Sequence, residues 1–249
     1  MSKVITALSV SVDGYITGRD PGPGRGLGDG SMLFDWYFNG DTPSREFDGF
    51  RLSEASARVF DGLASRVGVS LTGRNTYDDS GWIDGGTPHP TAPLVVVSHR
   101  PLDASADRLG AEPSASGGPS APAGPSACGE SSAPAEPSGP SASSAGPAAP
   151  SGVVPGMSDR QTLVTSGIED AVAVAQKLAG DKDVALMGGG VVSTALAAGL
   201  VDEIVLHQVP ILLGGGRSFF QELPHHVNLR LVEAVAAPGV THLHYEVVR

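Results

Sequence analysis

The chain is poor in cysteine and aromatic residues, and it has no long apolar run. A single cysteine, Cys128, excludes an intramolecular disulfide and a thiolate metal cluster, which favours a cytoplasmic protein. No stretch approaches the roughly 20 apolar residues that span a membrane, and the residues around Met1 and Asp13 lack the apolar core of a signal peptide. We therefore predict that the protein has no membrane partner.

Basic residues are also scarce, with 16 Lys and Arg against 27 Asp and Glu, for a formal net charge of −11. Non-specific binding to nucleic acid depends on Lys and Arg that neutralise phosphates, so we predict no nucleic-acid partner. The sequence contains neither the G-x-S-x-G motif of serine esterases nor the H-x-E and P-C-x-x-C signature of nucleobase deaminases. Neither chemistry is predicted for this chain.

Two pairs of histidines invite a metal hypothesis. His242 and His244 are two residues apart on a predicted strand and so share a face, while His225 and His226 are adjacent. A zinc site needs three or four ligands, and no acidic or cysteine partner has suitable spacing. We predict that no metal is bound.

One stretch cannot form a core. Between residues 111 and 152, 38 of 42 residues are Ala, Ser, Pro or Gly, and none is aromatic or a branched aliphatic. Such a composition buries too little apolar surface to offset chain entropy, which predicts a disordered insertion over about residues 104–158. The other residues, about 207 without the tract itself, suffice for one domain spanning 1–249.

Outside this tract, apolar strands alternate with helices, and the last third consists of strands. The predicted strands are 4–12, 67–71, 93–98, 163–165, 183–187, 203–209, 229–235 and 240–248. Ser53 is predicted to cap one helix, and Ser166 with Glu169 to form a capping box for another, whose buried stripe includes Leu178. The pattern predicts an α/β fold with a mostly parallel sheet, an antiparallel C-terminal edge and flanking helices.

Two strand-to-helix turns have the residues of an anion site. Gly73, Arg74 and Thr76 follow one apolar strand, and Gly188, Gly189 and Gly190 follow another. Glycine permits close backbone approach, and the first amides of a helix favour an anion. The triple glycine is neither G-x-G-x-x-G nor a P-loop, so its position is what matters. Two such turns suit a ligand with two phosphates.

Other stretches allow two interpretations each. Asp13-Gly14 is either a tight turn or a carboxylate that orients a substrate and relays a proton. The aromatic residues between 32 and 50 either belong to the core or wall a pocket for a flat heterocycle, with Trp36 and Phe38 as candidates. The glycine-rich loop 18–30 is a lid or a surface insertion, and Gly214 to Gly216 are interpreted as a structural turn.

Taken together, six segments in this order resemble the dihydrofolate-reductase-like family, and most closely the C-terminal reductase domain of the bifunctional riboflavin-biosynthesis deaminase/reductase and its stand-alone homologues. The segments that carry the resemblance are Ser11-Val12-Asp13-Gly14-Tyr15-Ile16, Gly73-Arg74-Asn75-Thr76-Tyr77, Val95-Val96-Val97-Ser98-His99-Arg100, Gly188-Gly189-Gly190, Gly199-Leu200-Val201-Asp202-Glu203 and Val209-Pro210-Ile211-Leu212-Leu213-Gly214-Gly215-Gly216.

The resemblance implies a homodimer that uses NADPH to reduce a C=N or C=O bond of a heterocycle, as 5-amino-6-(5-phosphoribosylamino)uracil reductase does. The alternatives are a related reductase of another small molecule and a nucleotide-binding protein without turnover. By the same resemblance, Asp13 is the catalytic candidate. The cofactor candidates are Gly14 at the nicotinamide, Gly73, Arg74 and Thr76 at phosphates, Ser98 and Arg100 near the 2′-phosphate, and Gly188, Gly189, Gly190, Val191 and Val192 at the pyrophosphate.

Overall fold

The structure is a computed structural model that describes residues 2–80, 86–99 and 157–249. Arg100 and the Ala/Ser/Pro/Gly tract at 111–152 lie outside the described residues. The predicted disorder of this insertion therefore stays a prediction. Met157, at the end of the predicted insertion, packs on the cluster of Tyr77, Leu94 and Val96.

Eight strands form one sheet. They are β1 (Val4–Ser11), β4 (Val67–Gly73), β5 (Leu94–Val97), β6 (Gln161–Val164), β7 (Asp183–Met187), β8 (Glu203–Val209), β9 (Asn228–Ala237) and β10 (Val240–Val248), and two short strands, β2 (Thr42–Pro43) and β3 (Arg51–Leu52), pair separately. The sheet order is β6-β5-β4-β7-β1-β8-β10-β9. The first six strands in this order are parallel, and β10 and β9 are antiparallel. The predicted parallel sheet with an antiparallel C-terminal edge is confirmed.

The helices are α1 (Glu54–Ala64), α2 (Arg74–Asp79), α3 (Ile168–Ala179) and α4 (Gly189–Ala197), together with a 3₁₀ helix, η1 (Ser31–Tyr37). Successive side chains of a strand point to opposite faces, and the side chains of β1 pack on both sides of the sheet. Val4 and Val10 pack in the cluster that includes α3 and α4, whereas Ser9 contacts Trp36 of η1. This arrangement leaves the carboxyl ends of the strands as the accessible edge.

Two local predictions in α3 are wrong. The predicted capping box at Ser166 and Glu169 does not form, because the residue before the helix is Gly167, with φ of 115° and no side-chain cap. The residue before the helix is therefore Gly167, one position later than the Ser166 that the sequence pattern indicated. Leu178, predicted on the buried stripe, is 49% exposed. The Ser53 cap of α1 is confirmed, since its side chain accepts a hydrogen bond from the amide of Ser56.

Candidate functional site

A cleft of about 890 Å³ lies at the carboxyl ends of the parallel strands. Ligands of open α/β sheets bind at this edge, where connections leave the sheet in opposite directions. The strands β4 and β7 are neighbours here, and each passes into a helix through one of the predicted glycine turns. Among the predicted site residues, those that line the cleft are Gly73, Arg74, Thr76, Ser98, Gly188, Gly189, Gly190 and Val191.

The turn after β7 opens the helix α4. Gly188 is the residue before the helix, and its φ of 93° is unfavourable for any side chain. The first amides of a helix have no partner within the helix, so the α4 N-terminus presents N–H groups to the cleft. Val192 differs from its predicted role at the pyrophosphate, because its side chain is fully buried in the core and does not line the cleft.

The turn after β4 meets the turn after β7. A Cβ atom added at Gly188 would overlap Oγ1 of Thr76, and one added at Gly73 would lie 3.0 Å from Cγ2 of Val191. Each turn therefore fits the other only because glycine stands at the contact. The structure brings the two predicted anion sites together in one cleft.

Arg74 stands at the start of α2 with a partner of its own. Its Nε lies 2.7 Å from Oδ2 of Asp78, one helical turn further on. The Arg74 side chain is 16% exposed and lines the cleft. The ion pair fixes the guanidinium at the cleft wall, which is compatible with a structural role and with contact to a ligand.

Ser98 follows β5 at the same edge of the sheet, and its amide donates to the carbonyl of Val164 at 3.0 Å. Its side chain is buried at the cleft wall beside His99. Of the two residues predicted near an adenosine 2′-phosphate, Ser98 therefore lines the cleft. Its partner in that prediction, Arg100, lies outside the described residues.

Asp13 has a well-defined structural environment away from the cleft. Its carboxylate accepts hydrogen bonds from the Ser11 hydroxyl at 2.6 Å and from the amides of Leu213 at 3.1 Å and Gly214 at 2.7 Å. The Ser11 hydroxyl, aided by these amides, lowers the pKa of Asp13, which keeps the carboxylate ionised. Asp13 and Gly14 are not among the cleft-lining residues. The geometry favours the turn interpretation over proton relay.

The aromatic segment packs mainly as core. Trp36 is 1% exposed and donates from Nε1 to the Ser9 hydroxyl at 3.0 Å, while Phe38 is 61% exposed. Neither lines the cleft, whereas Phe34 does. The sequence indicated the correct segment but not the aromatic side chain that lines the cleft. Residues of a 3₁₀ helix show no simple periodic pattern of burial from which that side chain could be predicted.

Arg217 and Asp79 were missed by the sequence reasoning. They form an ion pair between the loop after β8 and the end of α2, and both line the cleft. Arg217 follows the glycines at 214–216, so a cation after a tight turn was the only signal available. The residue that it pairs with is 138 positions away in the chain.

The glycine-rich loop 18–30 borders the cleft through Gly26 and Leu27. It is held at its base by a hydrogen bond from the Gly18 amide to the Leu27 carbonyl at 2.9 Å, and by one from the Arg19 amide to Asp29 at 2.6 Å. These contacts hold the loop at the edge of the cleft.

Within the described ranges, no helix is long and apolar enough to cross a membrane. In the same residues, no three His, Cys, Asp or Glu side chains are grouped to hold a metal ion. The histidines that the sequence suggested have separate environments. His242 contacts His207 at 2.8 Å between their Nδ1 atoms, whereas His244 lies 3.2 Å from Glu203.

The sheet order and the cleft at its carboxyl edge define an α/β protein of the dihydrofolate-reductase-like class. Residues 153–243 match the family model described as the RibD C-terminal domain. The resemblance predicted from the motifs is thereby confirmed over these residues. No curated protein matches the chain.

Solved structures share the fold at low sequence identity. A riboflavin biosynthesis protein from Shewanella sp. PV-4 is 21% identical with a TM-score of 0.58, and the alignment covers all of both chains. A pyrimidine reductase-like protein from Corynebacterium diphtheriae is 12% identical with a TM-score of 0.53, covering 100% of this chain and 92% of that one. The deaminase/uracil reductase from Thermotoga maritima is 11% identical with a TM-score of 0.51, and the alignment covers 99% of this chain and 57% of that one.

Proposed function

We propose that the chain is an NADPH-dependent reductase acting on a pyrimidine related to 5-amino-6-(5-phosphoribosylamino)uracil. The observation that carries the proposal is the meeting of two glycine turns, after the neighbouring strands β4 and β7, in one cleft. The match to the reductase family supports the class of reaction. The solved relatives named for riboflavin biosynthesis and pyrimidine reduction support the substrate class by analogy only.

The cleft fits a dinucleotide by the chemistry of its donors. The α4 N-terminus supplies backbone N–H groups, Thr76 and Ser98 supply hydroxyls, and Arg74 supplies a guanidinium. A Cβ at Gly190 would meet nothing closer than Gln221 Nε2 at 3.7 Å, so this glycine leaves room at the cleft. Hydrogen bonds to charged groups are stronger than those between neutral groups, which suits a pyrophosphate.

NADPH, when bound, supplies a hydride to an electron-poor carbon. In this proposal, the glycine turns would hold the cofactor phosphates, and residues on the β1 side of the cleft would pack against its reactive ring. There, Leu8, Ile16 and Phe34 provide an apolar wall that excludes water and packs against flat rings. Asp13 contributes by holding residues 213 and 214, which precede Arg217 of the cleft lining.

The proposal is tested by following NADPH absorbance at 340 nm with pyrimidine, pterin and quinone substrates, beside calorimetry with NADPH and NADH. We expect NADPH to bind more tightly than NADH and to be oxidised with a pyrimidine. Tight binding without oxidation across the panel would instead favour a nucleotide-binding protein without turnover. Oxidation with a pterin or quinone alone would favour a reductase of another small molecule.

The same proposal includes a homodimer in the cytoplasm. The outer strand β9 presents exposed Leu229, Leu231 and Val232 at the edge of the sheet. An exposed apolar edge strand is a template for pairing with another chain. Sedimentation should give twice the chain mass, and Leu231→Glu should shift the protein to monomer, whereas an unchanged monomeric mass in both proteins would reject the dimer.

A further inference from the structure

The ion pair between Asp79 and Arg217 crosses the cleft from one wall to the other. Asp79 ends α2, which follows β4, and Arg217 lies in the loop that follows β8. The Arg217 backbone is hydrogen-bonded to Ile16 and Thr17, which follow β1, and β7 lies between β1 and β4 in the sheet order. Two strand spacings of about 4.8 Å give a span of about 10 Å. The pair therefore passes over the carboxyl end of β7, where the cleft is.

Both ends of the bridge are fixed to the body of the domain. The Arg217 amide donates to the Thr17 hydroxyl at 2.9 Å, and the Arg217 carbonyl accepts from the amide of Ile16 at 2.9 Å. At the other end, the Ser80 amide donates to the carbonyl of Thr76, which keeps Asp79 within the last turn of α2. The two side chains can part while these hydrogen bonds persist, and the ion pair in turn limits how often the bonds of the Ile16 and Arg217 amides open.

The exposure of the two partners suits a contact that opens and closes. The Arg217 side chain is 38% exposed and that of Asp79 is 11% exposed. The Arg217 end can therefore turn into solvent and is open to screening by salt, while the Asp79 end stays at the cleft wall. A second pair, Arg230 with Glu246 on β9 and β10, is exposed and far along the sheet from the cleft. It provides a matched control.

We propose that the Asp79–Arg217 ion pair is a strap that closes over the ligand in the cleft and limits how fast the ligand enters and leaves. In the closed form, the paired side chains obstruct passage over the carboxyl end of β7. When the pair breaks, Arg217 and Asp79 retreat to opposite walls. Because the strap acts on both directions of exchange, it changes rates more than affinity.

The first test measures NADPH association and dissociation by stopped-flow fluorescence in Asp79→Asn, Arg217→Gln, the exchanged variant Asp79→Arg with Arg217→Asp, and the control Arg230→Gln. We expect both single variants to raise both rates about three- to tenfold, the exchanged variant to restore them, and the control to match the wild type. Added salt should accelerate only proteins that keep a pair. Unchanged rates would overturn the strap, as would weaker affinity in Arg217→Gln with wild-type rates in Asp79→Asn, which would make Arg217 a direct ligand contact.

This kinetic arm rests on the proposed function, so a second arm uses the ligand-free protein. Hydrogen exchange followed by mass spectrometry should show faster exchange at the amides of Ile16 and Arg217 in both single variants, with α3 unaffected. If the wild type does not bind NADPH, the proposed function fails while the exchange arm still decides the strap. Equal exchange in the variants and the wild type would reject it.

Discussion

Thr76 and Gly188, on turns that follow two neighbouring strands, are in direct contact, and a side chain at position 188 would overlap Oγ1 of Thr76. The contact means that neither turn can be changed at this point without moving the other. Both turns therefore line the same cleft. The turns after β4 and β7 form this part of its wall together.

Gly188→Ala should destabilise the protein by about 1–3 kcal/mol, because the residue has φ of 93° and its Cβ would overlap Thr76. Urea unfolding measures the loss. The matched control is Gly190→Ala, whose Cβ would meet only Gln221 at 3.7 Å and which we expect to unfold like the wild type. Equal stability of the two variants would contradict the contact. Weaker NADPH binding by the stable Gly190→Ala would support a ligand at α4.

Arg74→Ala should weaken NADPH binding by about 1.5–3 kcal/mol, roughly ten- to a hundredfold, if its guanidinium contacts a cofactor phosphate. The Arg74–Asp78 pair offers a control, since Asp78→Asn removes the pair and keeps the cation. We expect Asp78→Asn to bind NADPH at least as tightly as the wild type. Calorimetry and thermal unfolding of both variants decide the matter: a less stable Arg74→Ala with unchanged affinity assigns Arg74 a structural role only.

The architecture and the glycine turns were predictable from sequence because their signals are local. A buried apolar run, a glycine and a helix start are adjacent in the chain, as at Val69, Gly73 and Arg74, and their order fixes the class of fold. The antiparallel end was equally visible, since 203–209, 229–235 and 240–248 contain no intervening helix pattern. These features need no knowledge of which strands become neighbours.

The remaining parts of the site depend on strand order, which local patterns do not specify. Asp79 and Arg217 meet only because the loop after β8 returns to the end of β1, which lies two strands from β4 in the sheet. Asp13 is directed to the 213–214 loop because β1 pairs with β8 through Ser11 and Val209. Trp36 is buried because the face of β1 that bears Ser9 lies beneath it. Each outcome joins segments distant in sequence.

Deleting residues 111–152 should leave the melting temperature and NADPH affinity almost unchanged. The tract has no apolar anchors in its composition, and loop-closure entropy changes slowly with loop length. A short Gly/Ser linker should join the flanking residues. Scanning calorimetry of the deletion and of the full chain compares them, and a large fall in melting temperature would show that the tract stabilises the domain.

Two buried histidines predict how stability depends on pH. His207 and His242 are 1% and 2% exposed, and burial lowers the pKa of His207 to about 3 and that of His242 to about 4. They pack against Trp36, and His242 Nε2 lies 3.0 Å from the Ser56 hydroxyl. Histidines of the unfolded chain have a pKa of about 6.5. Between that pH and about 4, the unfolded chain therefore binds protons that the folded chain does not.

Stability should therefore fall by about 2–4 kcal/mol between pH 7 and pH 5, and urea unfolding at both values measures it. Hydrogen bonding with His244 and its other partners lowers the pKa of Glu203. The stability that Glu203 contributes is therefore lost only in stronger acid, below this pH window. His89 is buried too and burial lowers its pKa, so in His207→Gln the difference between pH 7 and pH 5 should shrink by about a third to a half, whatever its absolute stability. The exposed-histidine control His225→Gln should keep the full difference. An equal pH dependence in His207→Gln and the wild type would show that the buried pair does not set the acid sensitivity.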